Sequence, residues 1–283
     1  LLTINLFNGL VYGSLLIVMC SGLALIYGLR RVVNFAHGSL YMMGAYIGYS
    51  IALASNFWIA LLLAPAVMAV FGVLLDRYGF RLLQDRDPLT VVLVTFGLLL
   101  VIEDSVQTIW GKSNLSVPGP QALAFSVDIA GTPVPAYRIG VICVGFCVAL
   151  GLTLWLRFSK IGLFVRAAST DPVTTSMQGV NTDLLSAGVV GLGTALAGLA
   201  GVVAAPFMSL SPSMSADVII DSFVVVVIGG LGSLAGAFIA AMVLGMVQAV
   251  GAVYLPDTAV LFPFVLMVVV LIWKPSGLAG SRT

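Results

Sequence analysis

Nine apolar runs divide the chain, at 6–28, 39–55, 57–76, 89–110, 138–156, 184–206, 218–230, 233–254 and 258–273. A helix needs about 20 apolar residues to cross the bilayer core, and most of these runs come close to that. The run at 218–230 is short and leads into "GGLGS" at 229–233, which predicts a broken or re-entrant helix. Irregular backbone at membrane depth is tolerated only where protein or a cavity covers it. The pattern predicts an all-α polytopic membrane protein of eight or nine spans, forming one transmembrane domain over 1–283.

One stretch breaks the pattern. In "VRAASTDPVTTSMQGVNTDLL", residues 165–185, small polar side chains dominate. Asp171 suits an N-cap and Pro172 the first helical position. Gly179 suits the residue that stops a helix. These signals predict a helix of about two turns, Pro172–Gln178, with Val173 and Met177 on one face at i, i+4. Asn181 or Asp183 can cap the span that follows. A helix so short does not persist alone, so its order requires a socket made by this chain's own helix ends or by a partner. No Lys or Arg lies between 167 and 183, which argues against a turn resting on the membrane surface and for docking to a cytoplasmic protein. The other long polar segment, 111–137, is rich in Pro, Gly and Val. It predicts an ordered loop with short extended pieces.

Composition supports the membrane reading. The 283 residues are 60% hydrophobic and 8% charged, with a mean hydropathy of +1.16. Soluble domains carry about a quarter charged residues. A net charge of +1 gives no basic field and no case for nucleic acid. The 31 glycines suit close packing of helices in lipid. Cys20, Cys143 and Cys147 lie in apolar runs and read as small lipid-compatible side chains rather than metal or redox groups. The chain opens without Met and without a signal-peptide n-region, so its true start is expected upstream.

Charge also sets orientation. With nine spans, Arg30, Arg31, Arg77, Arg81, Arg86, Arg157, Lys160, Arg166, Lys274 and Arg282 share one side, and only Lys112 and Arg138 the other. The positive-inside rule then places the N-terminus outside, the C-terminus inside and residues 157–183, with the polar segment 166–183 within them, in the cytoplasm. Trp58, Trp110, Trp155 and Trp273 fall at span ends, where interfacial anchors belong.

Catalytic chemistry is not visible. There is no phosphate-binding loop, zinc spacing or nucleophile elbow, and His37 is the only histidine. No catalytic residue, metal site or cofactor is assigned to the chain. Asn34, His37 and Ser39 cluster where the second span begins, either as helix caps beside headgroup-anchoring Arg30 and Arg31 or as a wall of a transport pathway. Gly229, Gly230, Gly232 and Ser233 are candidates for the same wall. Asp217 and Asp221 share a helical face and read as solvated acids or as the lining of an outer vestibule. Glu103 and Asp104 read as exposed at headgroup level. Gln248 reads as a hydrogen-bond partner for a neighbouring helix.

Four stretches carry a family resemblance. "GLALIYGLRRVVNFAHGSLYMMGAY", "RAASTDPVTTSMQGVNTD", "VVVVIGGLGSLAGAFIAA" and "IWKPSGLAG" resemble signatures of the branched-chain amino acid permease family of bacterial ABC importers. The likeness runs from about residue 5 to 280 and is nearer the LivH-type subunit than its longer LivM-type partner. It implies a type II importer fold in the bacterial cytoplasmic membrane and a second, LivM-type permease subunit. It also implies two ABC ATPase subunits that bind ATP and Mg, and an extracytoplasmic binding protein. Residues 171–179, with Asp171, Pro172, Val173, Met177 and Gly179, then become the ATPase-coupling helix. Relatives also carry urea, short amides and other carboxylates, and the acids Glu103, Asp104, Asp217 and Asp221 depart from the usual pattern. The rival from another class is a stand-alone channel or ion-coupled carrier. A coupled carrier should show an acid at mid-depth, whereas the acids here fall at span ends in the sequence.

Overall fold

The computed structural model describes residues 2–32, 34–83, 86–129 and 131–279. Arg282, counted among the inner basic residues, lies outside them. The described chain is helical except for one hairpin and the connecting turns. In order the helices are α1 (Leu2–Arg30), α2 (His37–Ala54), α3 (Phe57–Leu75), α4 (Arg81–Leu83), α5 (Pro88–Trp110) and α6 (Ala136–Phe158). There follow α7 (Lys160–Thr170), α8 (Pro172–Met177), α9 (Thr182–Ala204), α10 (Met214–Gly229), α11 (Leu234–Tyr254) and α12 (Phe262–Trp273). A π-helical turn, Asp76–Phe80, joins α3 to α4.

Among the described residues, seven helical segments are long and apolar enough to cross a membrane. They are Ile4–Arg30, Phe57–Leu83, Pro88–Trp110, Ala136–Phe158, Thr182–Ala204, Leu234–Tyr254 and Pro256–Trp273. The shorter α2 and α10 fill the other two positions expected from the apolar runs. The expected broken helix is α10, 16 residues long, which stops at Gly229 before a tight turn into α11.

Burial sorts the helices into an inner and an outer set. In α1, 89% of the span is buried by protein; in the last span only 11% is. The outer helices α3, α5, α6 and α12 turn leucines and valines such as Leu62, Leu93, Leu150 and Val269 outward, as lipid-facing surfaces require. The inner helices approach one another through glycine. A Cβ on Gly22 would collide with the Gly193 backbone, and one on Gly44 with Gly198. Small residues allow this contact, and dispersion between close backbones replaces the hydrophobic drive that lipid does not supply.

The segment 111–135 holds the expected extended pieces. Strands β1 (Ser126–Ile129) and β2 (Thr132–Pro135) pair antiparallel, with Val127 opposite Val134. Leu115 bridges to Leu210, tying this loop to the α9–α10 connection.

Candidate functional site

The polar stretch forms two helices. The first, α7, is not among the elements expected from the sequence. Its Ser159 cap accepts the Gly162 amide at 2.8 Å. Ile161 and Leu163 face outward while Val165 and Ala168 pack inward. The second, α8, is the expected one and ends a residue earlier than predicted. Asp171 accepts the Thr174 amide at 3.0 Å and the Thr174 hydroxyl at 2.5 Å. These bonds, the Thr174 hydroxyl first, hold the Asp171 carboxyl below its ordinary value. Pro172 occupies the first turn. Gly179 follows with φ +85°, a left-handed stop suited to glycine. Asn181 then caps α9 by accepting the Leu184 amide at 2.9 Å. Val173 is 61% exposed and Met177 79%, so the short apolar face is presented outward.

Beneath this segment lies a polar cluster. Asp76 is buried and takes a forked bond from Arg30, at 3.1 Å from Nε and 2.9 Å from Nη2. Ser186 donates to the same carboxylate at 3.1 Å. Forked arginine–carboxylate pairs are strong and geometrically specific. The headgroup-anchor reading of Arg30 is therefore corrected: its partner Asp76, 46 residues away in sequence, draws it inward. Nearby, Arg81 meets Asp183 at 2.6 Å in a more exposed pair.

The second candidate group sits deeper than its sequence position suggests. His37, the first residue of α2, has Nε2 3.0 Å from the Met19 carbonyl. Met19 lies eleven residues before Arg30, about 16 Å along α1 at 1.5 Å per residue. So α2 begins part-way along α1, not at its end. Asn34 accepts the Ala36 amide and Ser39 donates to the Ala36 carbonyl. All three side chains are fully buried. Asn34 Nδ2 and His37 Nδ1 have no protein partner.

The third group, Gly229–Ser233, is not brought to the second. It forms the turn between α10 and α11, and Gly232 packs on Gly28 near the end of α1. Gly230 and Gly232 have φ of +98° and +84°. Ser233 caps α11 by accepting the Gly236 amide at 3.2 Å. The chain's last described residues close over the turn: Leu278 and Ala279 donate to the Ile228 and Gly229 carbonyls at 2.7 and 3.1 Å.

The acids divide. Asp217 is exposed, but Asp221 is only 7% exposed. Tyr12 and Gln248 donate to Asp221, so Gln248 is the interhelical partner expected. Both acids line a cavity of about 290 Å³ with Pro263 and Phe264. The span-end placement of Asp221 is corrected. The chain turns between Ala204 and Met214, so α10 starts below that end, with Ser215 packed against Gly38. Glu103 is also corrected, being half-buried and accepting from Ser215 rather than facing headgroups, whereas Asp104 is exposed.

Comparison with known proteins agrees with this architecture. Residues 5–271 match the family described as "Branched-chain amino acid transport system / permease component". The chain is 27% identical to the Salmonella typhimurium high-affinity branched-chain amino acid transport system permease protein LivH, over 98% of this chain and 94% of LivH. It is 28% identical to the Pseudomonas aeruginosa permease protein BraD, over 98% and 95%. The Salmonella LivM permease is 26% identical, over 93% of this chain and 67% of LivM. A solved structure, PsaBC from Streptococcus pneumoniae in complex with Fab, shares the fold. Its TM-score is 0.51 at 11% identity, covering 95% of this chain and 91% of that one. A helical bundle with buried glycine contacts, matched over nearly its whole length, thus identifies the chain as a multi-pass membrane protein of the branched-chain amino acid transport permease family.

Proposed function

We propose that the chain is the membrane subunit of a type II ABC importer in the bacterial cytoplasmic membrane. Its cargo is a branched-chain or other small amino acid, or a related small carboxylate or amide. ATP and Mg act in two partner ATPases, a second permease of LivM type completes the pathway, and an extracytoplasmic binding protein delivers substrate. The chain itself does no chemistry. One observation carries the reading. The short α8 is capped at both ends, holds no basic residue of its own and presents Val173 and Met177 to solvent. An apolar pair on a helix too short to stand alone fits a socket on an ATPase.

The pathway is proposed to run beside Asn34, His37 and Ser39. There α2 begins at depth and points its positive end inward, a geometry that suits the anionic group of a substrate. Gly229, Gly230, Gly232 and Ser233 would act at the inner end, and Asp217 and Asp221 at an outer vestibule. Buried Asp221 favours a second reading, an ion-coupled carrier.

The test is to purify the chain in mild detergent and reconstitute it with whatever remains bound. An ATPase among the bound proteins separates the two readings. Replacing Val173 and Met177 together by Asp is expected to leave membrane insertion intact and abolish the stimulation of ATP hydrolysis by loaded binding protein. Full stimulation in that variant, with all subunits present, would refute the coupling role.

A further inference from the structure

We propose that Asp76 is a positioning residue that passes movement of α8 into the spans, with Arg30 and Ser186 as its two contacts. This rests on the coupling reading above. The carboxylate collects three elements at one point: the last residue of α1, the π-helical turn that begins with Asp76 itself, and the second turn of α9. It is 1% exposed, so none of these bonds is lost to water.

The α9 limb leads straight to α8. Only Gln178 to Asn181 separate the end of α8 from the start of α9, and Ser186 is the fifth residue of α9. So short a connection cannot absorb a displacement of α8 without moving Ser186. The α1 limb reaches the other flank. Arg31, next to Arg30, donates to the Ser169 carbonyl at 3.4 Å, in the last turn of α7. Both flanks of α8 are thus tied to consecutive residues, Arg30 at the end of α1 and Arg31 just after it. Arg31 has φ +53°, the one positive value outside glycine among the described residues. A residue held in this unfavoured region persists only where its surroundings fix it. From Arg31 the chain runs directly to Asn34 and His37 at the start of α2.

A relay also needs room to move, because densely packed helices resist displacement. Cavities flank the cluster on two sides. One of about 420 Å³ is lined by Arg30, Val173, Ser176, Asp183 and Ser186. Another of about 320 Å³ is lined by Asp76, Arg77, Arg81, Asn181 and Asp183. The π-helical turn departs from regular helix bonding at the same point, a feature frequent where helices serve function.

Ser186→Ala removes only the α9 limb and leaves the ion pair. Asp76→Asn keeps the shape and removes the charge. Exchanging the pair, Arg30→Asp with Asp76→Arg, restores opposite charges. Each is introduced into the complete complex, purified with its ATPase and binding-protein partners and placed in liposomes. ATP hydrolysis is then read with and without loaded binding protein. Ser186→Ala is expected to assemble and hydrolyse ATP at the basal rate but to lose the stimulation. Asp76→Asn is expected to do the same, and the exchanged pair to recover part of what Asp76→Arg alone loses. A purely structural role predicts less assembled complex with an unchanged ratio of stimulated to basal hydrolysis, and that result overturns the proposal. The Val173→Asp, Met177→Asp variant runs in parallel. If it keeps its stimulation, the coupling reading falls and the proposal with it. If it loses stimulation while Ser186→Ala and Asp76→Asn keep theirs, the proposal alone falls.

Discussion

Tyr12 on α1 donates to the Asp221 carboxylate on α10 at 2.5 Å, and Gln248 on α11 donates to its other oxygen at 2.9 Å. One carboxylate therefore joins three helices inside the bundle. Tyr12→Phe removes one donor and leaves the acid under-satisfied, at a cost of about 1–3 kcal/mol. The expected result is a lower unfolding midpoint in detergent. Asp221→Asn is expected to fold and to retain ATP-driven uptake of leucine. An ion-coupled carrier that uses Asp221 would instead lose uptake in that variant.

The cap on α8 carries a pH dependence whose sign follows from its cause. The Thr174 hydroxyl and amide favour the Asp171 carboxylate and lower its pKa from 3.8. A group lowered on folding contributes stability that is fully present above its unfolded value. That stability is lost as the pH falls through the folded value, below 3.8. The cap is therefore intact throughout the neutral range. Hydrogen exchange at the Thr174 amide should be slow and unaffected by the cap's titration from pH 5 to 8, after correction for intrinsic rate. It should quicken in Asp171→Ala at every pH. Equal protection in the two proteins would show that the side chain does not cap.

Local chemistry is what the sequence makes legible. Asp171, Pro172, Gly179 and Asn181 act on their own neighbours, so their roles can be read from spacing alone. Depth and partnership are different. A hydropathy run gives the length of α2 but not that His37 starts at the level of Met19. Asp76 looks like an ordinary acid at a span end until Arg30 and Ser186 arrive from distant parts of the chain. The Asp221 contact likewise depends on where α10 starts, which the turns after Ala204 decide. Helix α7 escapes because it is short and ends in Ser169 and Thr170, residue types that favour turns when packing is unknown.

The turn after α10 should tolerate little. Gly230 has φ +98° and ψ 123°, in a region open almost only to glycine. The Gly277 backbone lies so close that a Cβ on Gly277 would meet Gly230. Gly230→Ala is expected to cost about 1–3 kcal/mol from backbone strain. Gly230→Leu places a bulky side chain in the same strained turn and should expose the Leu278 and Ala279 amides to exchange. Wild-type protection of both amides in Gly230→Leu would mean the tail does not depend on this turn.

Orientation can be settled with single cysteines. Arg30, Asp76, Arg81 and Asp183 gather at the same end of the bundle as α8. Leu115 and Leu210 pair beyond the opposite ends of α5 and α9. The basic residues named above concentrate at the first end, which the positive-inside rule assigns to the cytoplasm. The native Cys143 and Cys147 are exposed on α6 and Cys20 is buried, so all three are first removed. Lys112→Cys and Asp128→Cys should then react with a membrane-impermeant maleimide added to intact cells. Thr170→Cys and Gln178→Cys should react only after permeabilisation. Both loop positions are exposed, as are both coupling-segment positions, so failure to label reports the side of the membrane rather than burial. The opposite pattern would invert the bundle and place Val173 and Met177 outside, where no ATPase could reach them.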